Sequence, residues 1–146
     1  MNFELHPDLK RDGIPMGTFA LCQVLLINDS HYPWFVLVPK RGGISDTIDL
    51  TPEDHDQLWD ESRVFSKAIM RAFDGEKLNV AALGNMTPQL HIHHIVRYKS
   101  DEAWPGPIWG KHELKPYSAS EVQTIKTKLA AQNLKRFTSV DASPLL

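Results

Sequence analysis

One cysteine is all this chain has, so Cys22 cannot form an intrachain disulfide. It sits in the apolar run Leu21 to Ile27, where a lone thiol reads as a small core filler. Long hydrophobic stretches are also missing. Nothing approaches the roughly 20 apolar residues that span a bilayer. The start, Met1-Asn2-Phe3-Glu4, has neither a basic nor an apolar leader segment, so a cytoplasmic protein is expected. A surplus of basic charge is absent too: the formal net charge is −2, which gives no field for nucleic acid or anionic lipid. Repeats, low-complexity tracts and interdomain linkers are not seen.

What remains is an ordinary globular composition, 42% apolar and 23% charged, over a length of 146 residues that suits one domain. We expect a single domain over residues 1–146, with its core at about 18–110 and a C-terminal helix at about 119–134. Thr18 to Ile27 reads as a strand buried on both faces, Asn28-Asp29-Ser30 as a turn, and Trp34 to Val38 as the second arm of a hairpin. Thr51-Pro52-Glu53-Asp54 opens a helix: Thr51 caps it, Pro52 fits its first position, and the acids suit the positive dipole end. Leu58, Phe65, Ile69 and Phe73 give it an apolar stripe, its charges form a solvated face, and Gly75 ends it. Leu78 to Leu83 is a third strand. An irregular stretch runs from Asp101 to Lys115. Ser118 and Glu121 have capping-box spacing ahead of Val122, Ile125 and Leu129, and the tail from Thr138 has little to bury. The fold class is α+β: an antiparallel sheet of about five strands with one long helix and a C-terminal helix.

The segment that carries chemistry is Gln89-Leu90-His91-Ile92-His93-His94-Ile95-Val96-Arg97. Strand alternation puts Gln89, His91 and His93 on one face and Leu90, Ile92, His94 and Val96 on the other. His94 therefore belongs to the core side, as a hydrogen-bonded structural residue. His91 and His93, roughly 6.5 Å apart along a strand, share one surface. Two readings of that pair stay open. His-x-His can begin a transition-metal site, with Glu76, Asp101 or His112 available as a third ligand. Alternatively, a neutral imidazole attacks phosphorus while its neighbour neutralises charge or protonates a leaving group, and the Gly84-Asn85 turn holds phosphate oxygens.

Lys77-Leu78-Asn79, Leu83-Gly84-Asn85, Pro88-Gln89-Leu90-His91-Ile92-His93 and Arg97-Tyr98 together resemble a bacterial branch of the histidine triad (HIT) superfamily. Those proteins are nucleotide hydrolases and transferases named for His-φ-His-φ-His-φ-φ, where φ is apolar. Tyr32 to Arg41, with Pro39-Lys40 at its end, resembles the family's earlier strand, and Trp104-Pro105-Gly106-Pro107-Ile108-Trp109 the segment that follows the motif. Gln89 stands where the first triad histidine belongs. The resemblance implies that His91 is the nucleophile, oriented by a backbone carbonyl near position 89, and that His93 contacts the scissile phosphate and leaving group.

It further implies Asn79 and Asn85 near ribose and phosphates, Asn28 near a ribose-contacting position, and Trp34 in place of a fourth histidine, as a base-stacking or core residue. Arg97 is structural or phosphate-steering. The implied fold is the HIT fold as a homodimer. The implied activity is attack at the α-phosphate of a purine nucleoside phosphoramidate, dinucleoside polyphosphate or similar conjugate, through a nucleotidyl-histidine intermediate. That chemistry requires no metal, though magnesium can accompany a polyphosphate. The substitutions at Gln89 and Trp34 leave one alternative: a nucleotide-binding protein with little or no turnover.

Overall fold

A computed structural model describes residues 2–140, so the end of the tail, residues 141–146, lies outside the described residues. Six strands, all antiparallel, form one sheet in the order β4-β5-β3-β2-β1-β6. They are β1 (Gly13–Thr18), β2 (Cys22–Ile27), β3 (Trp34–Pro39), β4 (Lys77–Ala81), β5 (Ile92–Arg97) and β6 (Thr138–Ser139). Three helices, α1 (Pro7–Asp12), α2 (Pro52–Ala72) and α3 (Ala119–Ala130), complete it. The α+β class holds, with six strands rather than about five. The sixth is the two-residue β6, which pairs with β1 beyond the expected core.

The core also begins earlier than residue 18. Thr18 to Ile27 is not one strand: β1 ends at Thr18, the chain turns through Phe19 to Leu21, and β2 starts at Cys22. An apolar run hides such a break because both arms are buried. What makes the turn possible is Glu61, whose carboxylate accepts from the Leu21 and Cys22 amides at 2.9 and 2.8 Å and from Gln57 Nε2 at 2.7 Å. Burying those amides without a partner would cost the full desolvation of each. Glu61 and Ser62 are buried, so the polar face of α2 is not wholly solvated as its sequence suggested.

The long helix otherwise follows its sequence. Thr51 Oγ1 accepts from the Asp54 amide, and Leu58, Phe65 and Ile69 are fully buried. They pack on one face of the sheet with Phe35, Leu37, Ile92 and Val96. The other face carries Leu25, Ile27, Val36 and Val38, and against it lies the N-terminal segment through Phe3, Leu5 and Leu9. His93 is opposite Val36 in the β3–β5 ladder and so belongs to this second face, while His94, opposite Phe35, belongs to the α2 face.

His94 meets the structural expectation in full. Its Nδ1–H donates to the Ile92 carbonyl at 2.9 Å, and Nε2 accepts from Ser62 Oγ–H at 2.7 Å. Burial pushes its pKa down to about 4, against a smaller upward pull from the Ile92 carbonyl. Burial does the same to His93, again to about 4, with the Leu83 carbonyl pulling weakly upward. Unfolded histidines titrate near 6.5, so below that pH the unfolded chain binds protons the folded chain refuses. Stability is therefore complete above pH 6.5 and declines as pH falls toward about 4. The slope approaches about 1.4 kcal/mol per pH unit for each proton. Urea titrations at pH 7 and pH 5 check this: the midpoint falls, and an unchanged midpoint would contradict the burial argument.

Candidate active site

Leu90 still hydrogen-bonds outside the ladder, its amide donating to the Ile44 carbonyl, and β5 pairing begins only at Ile92. His91 therefore stands just ahead of the strand rather than within it. The two rings nevertheless meet, edge to face, with centroids 4.9 Å apart. Both are buried, and both line one small cavity.

Their hydrogen bonds give them opposite tautomers. The Gln89 carbonyl lies 2.7 Å from His91 Nδ1 and can only accept, so the proton is on Nδ1 and Nε2 presents a lone pair. For His93 the reverse holds. Its Nε2 faces the Leu83 carbonyl at 2.7 Å and must carry the proton, while Nδ1 accepts from Trp34 Nε1–H at 3.0 Å. Burial also lowers the His91 pKa, against the upward effect of the Gln89 carbonyl. His91 thus presents a lone pair, and His93 an N–H bonded to a carbonyl. A glycine is needed beside them: a Cβ on Gly84 would lie 2.9 Å from both His91 Cε1 and the Thr87 carbonyl oxygen.

His91 borders two cavities. The first, about 120 Å³, has an apolar side of Leu9, Ile27, Trp34 and Leu114 and a polar side of Asp8, Asp12 and Thr87, with His93 at its base. The second, about 60 Å³, includes Ser45, Asp46, Gly84, Asn85 and Gln89. Asn85 shares the second cavity with His91, and Trp34 lines the first with His91 and His93. Trp34 also acts in a way the reading missed, by fixing the His93 tautomer.

Three other candidates have side chains bonded to protein groups. The Asn79 amide oxygen accepts from Arg97 Nη1 at 2.8 Å, and the Asn28 amide oxygen accepts from the Tyr117 amide at 2.9 Å. Neither lines either cavity that His91 borders. Gln89 lines the second cavity, but its side chain is committed elsewhere. Oε1 accepts from the His6 amide and Nε2 donates to the Glu4 carbonyl, both at 2.9 Å. Gln89 thus ties down the N-terminal segment. His93 needs a similar qualification, because both its nitrogens are already bonded to protein groups.

The three residues offered as a third metal ligand are bonded to other protein groups. Glu76 accepts from the Lys99 amide, Asp101 pairs with Arg97, and His112 Nε2 bonds Tyr32 Oη. Among the described residues no trio of His, Cys, Asp or Glu is arranged to hold a metal ion. Arg97 proves structural: its guanidinium forks onto Asp101 at 2.8 and 3.0 Å and donates to the Gly106 carbonyl at 2.8 Å.

The site is an imidazole oriented by a backbone carbonyl at the mouth of a strand of an antiparallel sheet, beside a glycine-asparagine turn. The chain belongs to the HIT-domain family: the family model matches residues 12–100. Solved structures agree. A histidine triad protein from Marinobacter aquaeolei VT8 is 46% identical, with 92% of this chain and 99% of that one covered and a TM-score of 0.89. One from Sinorhizobium meliloti 1021 is 41% identical, with 89% and 96% covered and a TM-score of 0.87. One from Bradyrhizobium japonicum is 41% identical, with 90% and 98% covered and a TM-score of 0.88. No curated protein matches the chain. HIT-domain proteins are in general nucleotide-binding hydrolases and transferases. No described helix is long and apolar enough to cross a membrane.

Proposed function

We propose that this protein hydrolyses or transfers a nucleotide conjugate at its α-phosphate through a covalent intermediate on His91. The single observation that carries the reading is the free Nε2 lone pair of His91, held by the Nδ1–H bond to the Gln89 carbonyl. The lone pair attacks phosphorus, the bond from phosphorus to the leaving group breaks, and the leaving group takes a proton from water. Positive charge left on the ring is stabilised at Nδ1–H by that carbonyl. Water then attacks the phosphorus of the nucleotidyl-histidine, releasing the mononucleotide and restoring the neutral imidazole. The burial that lowers the His91 pKa keeps the lone pair available at neutral pH.

His93 acts as a neutral donor, its Nε2–H passing from the Leu83 carbonyl to a phosphate oxygen when substrate enters. Asn85, in the second cavity, adds an uncharged donor. The substrate class is a purine nucleoside phosphoramidate, a dinucleoside polyphosphate or a similar conjugate. The steps use protein groups and water, with magnesium accompanying only a polyphosphate substrate. Homodimerisation is part of the proposal: β4 leaves a sheet edge unpaired in the protomer, with Val80 and Leu83 exposed nearby.

One observation favours the alternative of a nucleotide-binding protein with little turnover. Both ring nitrogens of His93 are already bonded to protein groups, Nε2–H to the Leu83 carbonyl and Nδ1 to Trp34 Nε1–H, so the ring offers a phosphate no free donor. Release of mononucleotide from a nucleoside phosphoramidate and from a diadenosine polyphosphate separates the two readings. Steady turnover by the natural chain supports the enzyme. Binding without turnover, with a large gain in rate from Gln89→His, supports the binder.

A further inference from the structure

We propose that the groove between α2 and the segment after α3 is a docking site for a short acidic peptide of a partner protein. The charge of the chain is divided in a way its total conceals. Residues 62–73 carry Arg63, Lys67 and Arg71 and no acid. Residues 122–136 carry Lys126, Lys128, Lys135 and Arg136, again with no acid. Seven of the 16 lysines and arginines fall in these two segments, and the other nine share the rest of the chain with all 18 acids. A net charge of −2 therefore hides a basic face on an acidic protein.

The fold brings the two segments together. Arg63, Lys67, Arg71 and Lys135 border a groove of about 220 Å³ that no acid lines, with Val64, Ala68 and Leu134 as its apolar lining. A second groove, about 300 Å³, adjoins it at Arg63, Val64 and Lys135 and adds Arg136. Asp60 and Glu61 border only the second, and the Glu61 carboxylate is committed to the Leu21 and Cys22 amides. Among the described residues none of the seven bases is in an ion pair. The rim that carries Lys135 is fixed in place. Leu134 and Phe137 pack against the core, the Phe137 ring centre lies 5.0 Å from that of Phe19, and β6 pairs with β1. Cations also suit the negative end of a helix dipole, which accounts for Arg71 in the last turn of α2. It does not account for Arg63, two turns earlier, or for Lys135 and Arg136, which lie outside any helix.

Spacing and charge together name the occupant. Arg63, Lys67 and Arg71 recur every fourth residue, which is about 6 Å of helix rise. Alternate residues of an extended chain lie roughly 6.5 Å apart. A peptide with acids at alternate positions thus sets one carboxylate against each cation, and the two arginines can fork onto theirs. Nucleic acid fits less well. No aromatic ring lines the acid-free groove to stack a base, and a long polyanion would run on to the acidic remainder of the protein. The homodimer proposed through β4 leaves the groove open, because its Lys135 rim leads into β6 at the opposite edge of the sheet.

Fluorescence anisotropy of a labelled Glu-Ala-Glu-Leu-Glu-Ala-Glu peptide with the full chain tests this. Wild type is expected to bind it, more weakly as salt is added. The double variant Arg63→Glu with Lys67→Glu is expected to lose about tenfold in affinity or more. Both side chains are exposed, so the fold should tolerate the change. Lys99→Glu with Lys111→Glu alters net charge equally at exposed positions that line neither groove, and is expected to lose less than about twofold. Absence of binding by the wild type at low salt overturns the proposal. Equal losses in the two double variants overturn it too, since net charge alone would then govern the contact. Tighter binding of an oligothymidylate of equal charge would make the face a nucleic-acid surface and overturn the peptide assignment.

Discussion

Replacing His91 with alanine removes turnover of a nucleoside phosphoramidate by about four orders of magnitude or more, the scale on which nucleophile deletions act. Mononucleotide binding is expected to change far less, since the role proposed for His91 is bond-making at phosphorus. The asymmetry with His93 is part of the expectation. His93 has one ring nitrogen fixed as an acceptor from Trp34 and contributes a single N–H. Its loss therefore removes one oriented donor, a reduction of about a hundredfold to a thousandfold. Single-turnover rates for the two alanine variants measure the difference. Equal small losses at both positions would mean that neither imidazole bonds to phosphorus.

Arg97→Ala is expected to be the most destabilising single substitution outside the apolar core. The side chains of Arg97 and Asp101 are 2% and 4% exposed, so the pair is buried, and removing one partner leaves an uncompensated charge. Burial raises the Asp101 pKa, but the Arg97 hydrogen bond and the Tyr98 and Trp104 amides more than reverse this and hold it below the usual carboxylate range. The guanidinium also lies 5.7 Å from the Tyr32 ring centre and 5.6 Å from that of Trp104. Breaking such a pair costs about 3–5 kcal/mol. Arg97→Lys does not restore it, because an ammonium cannot make the two-pronged contact. Urea unfolding of the three proteins provides the check. A loss below about 1 kcal/mol for Arg97→Ala would show that the cluster is wet and weak.

The sequence was most readable where a pattern has one physical solution. Thr51-Pro52 and Ser118/Glu121 mark helix starts by their chemistry, and both cap as expected. The alternation along β5 separates His93 from His94 on the opposite face, because a pleat allows nothing else. What stayed hidden depends on distant partners. Glu61 looks like one more acid on a charged helix until its carboxylate is seen 2.9 Å from the Leu21 amide, 40 residues away in sequence. The N-terminal helix did leave a signal: Pro7 at its first position, Asp8 in the first turn, Lys10 and Arg11 in the last, and Gly13 just after it. Its contact with Gln89, 83 residues on, left none. The partners of Asn79 and Asn28 were hidden for the same reason, since an amide's type does not say which donor reaches it first.

The central claim is that His91 Nε2 becomes bonded to phosphorus, and mass spectrometry of the enzyme quenched in alkali during turnover tests it most directly. Such a phosphorus–nitrogen bond is acid-labile, so the quench must avoid acid. The expected result is one nucleotide monophosphate added per chain, with fragmentation placing it on His91 and none found on His93 or His94. A turning-over enzyme that carries the adduct on another residue, or no adduct while His91→Ala remains fully active, would contradict it.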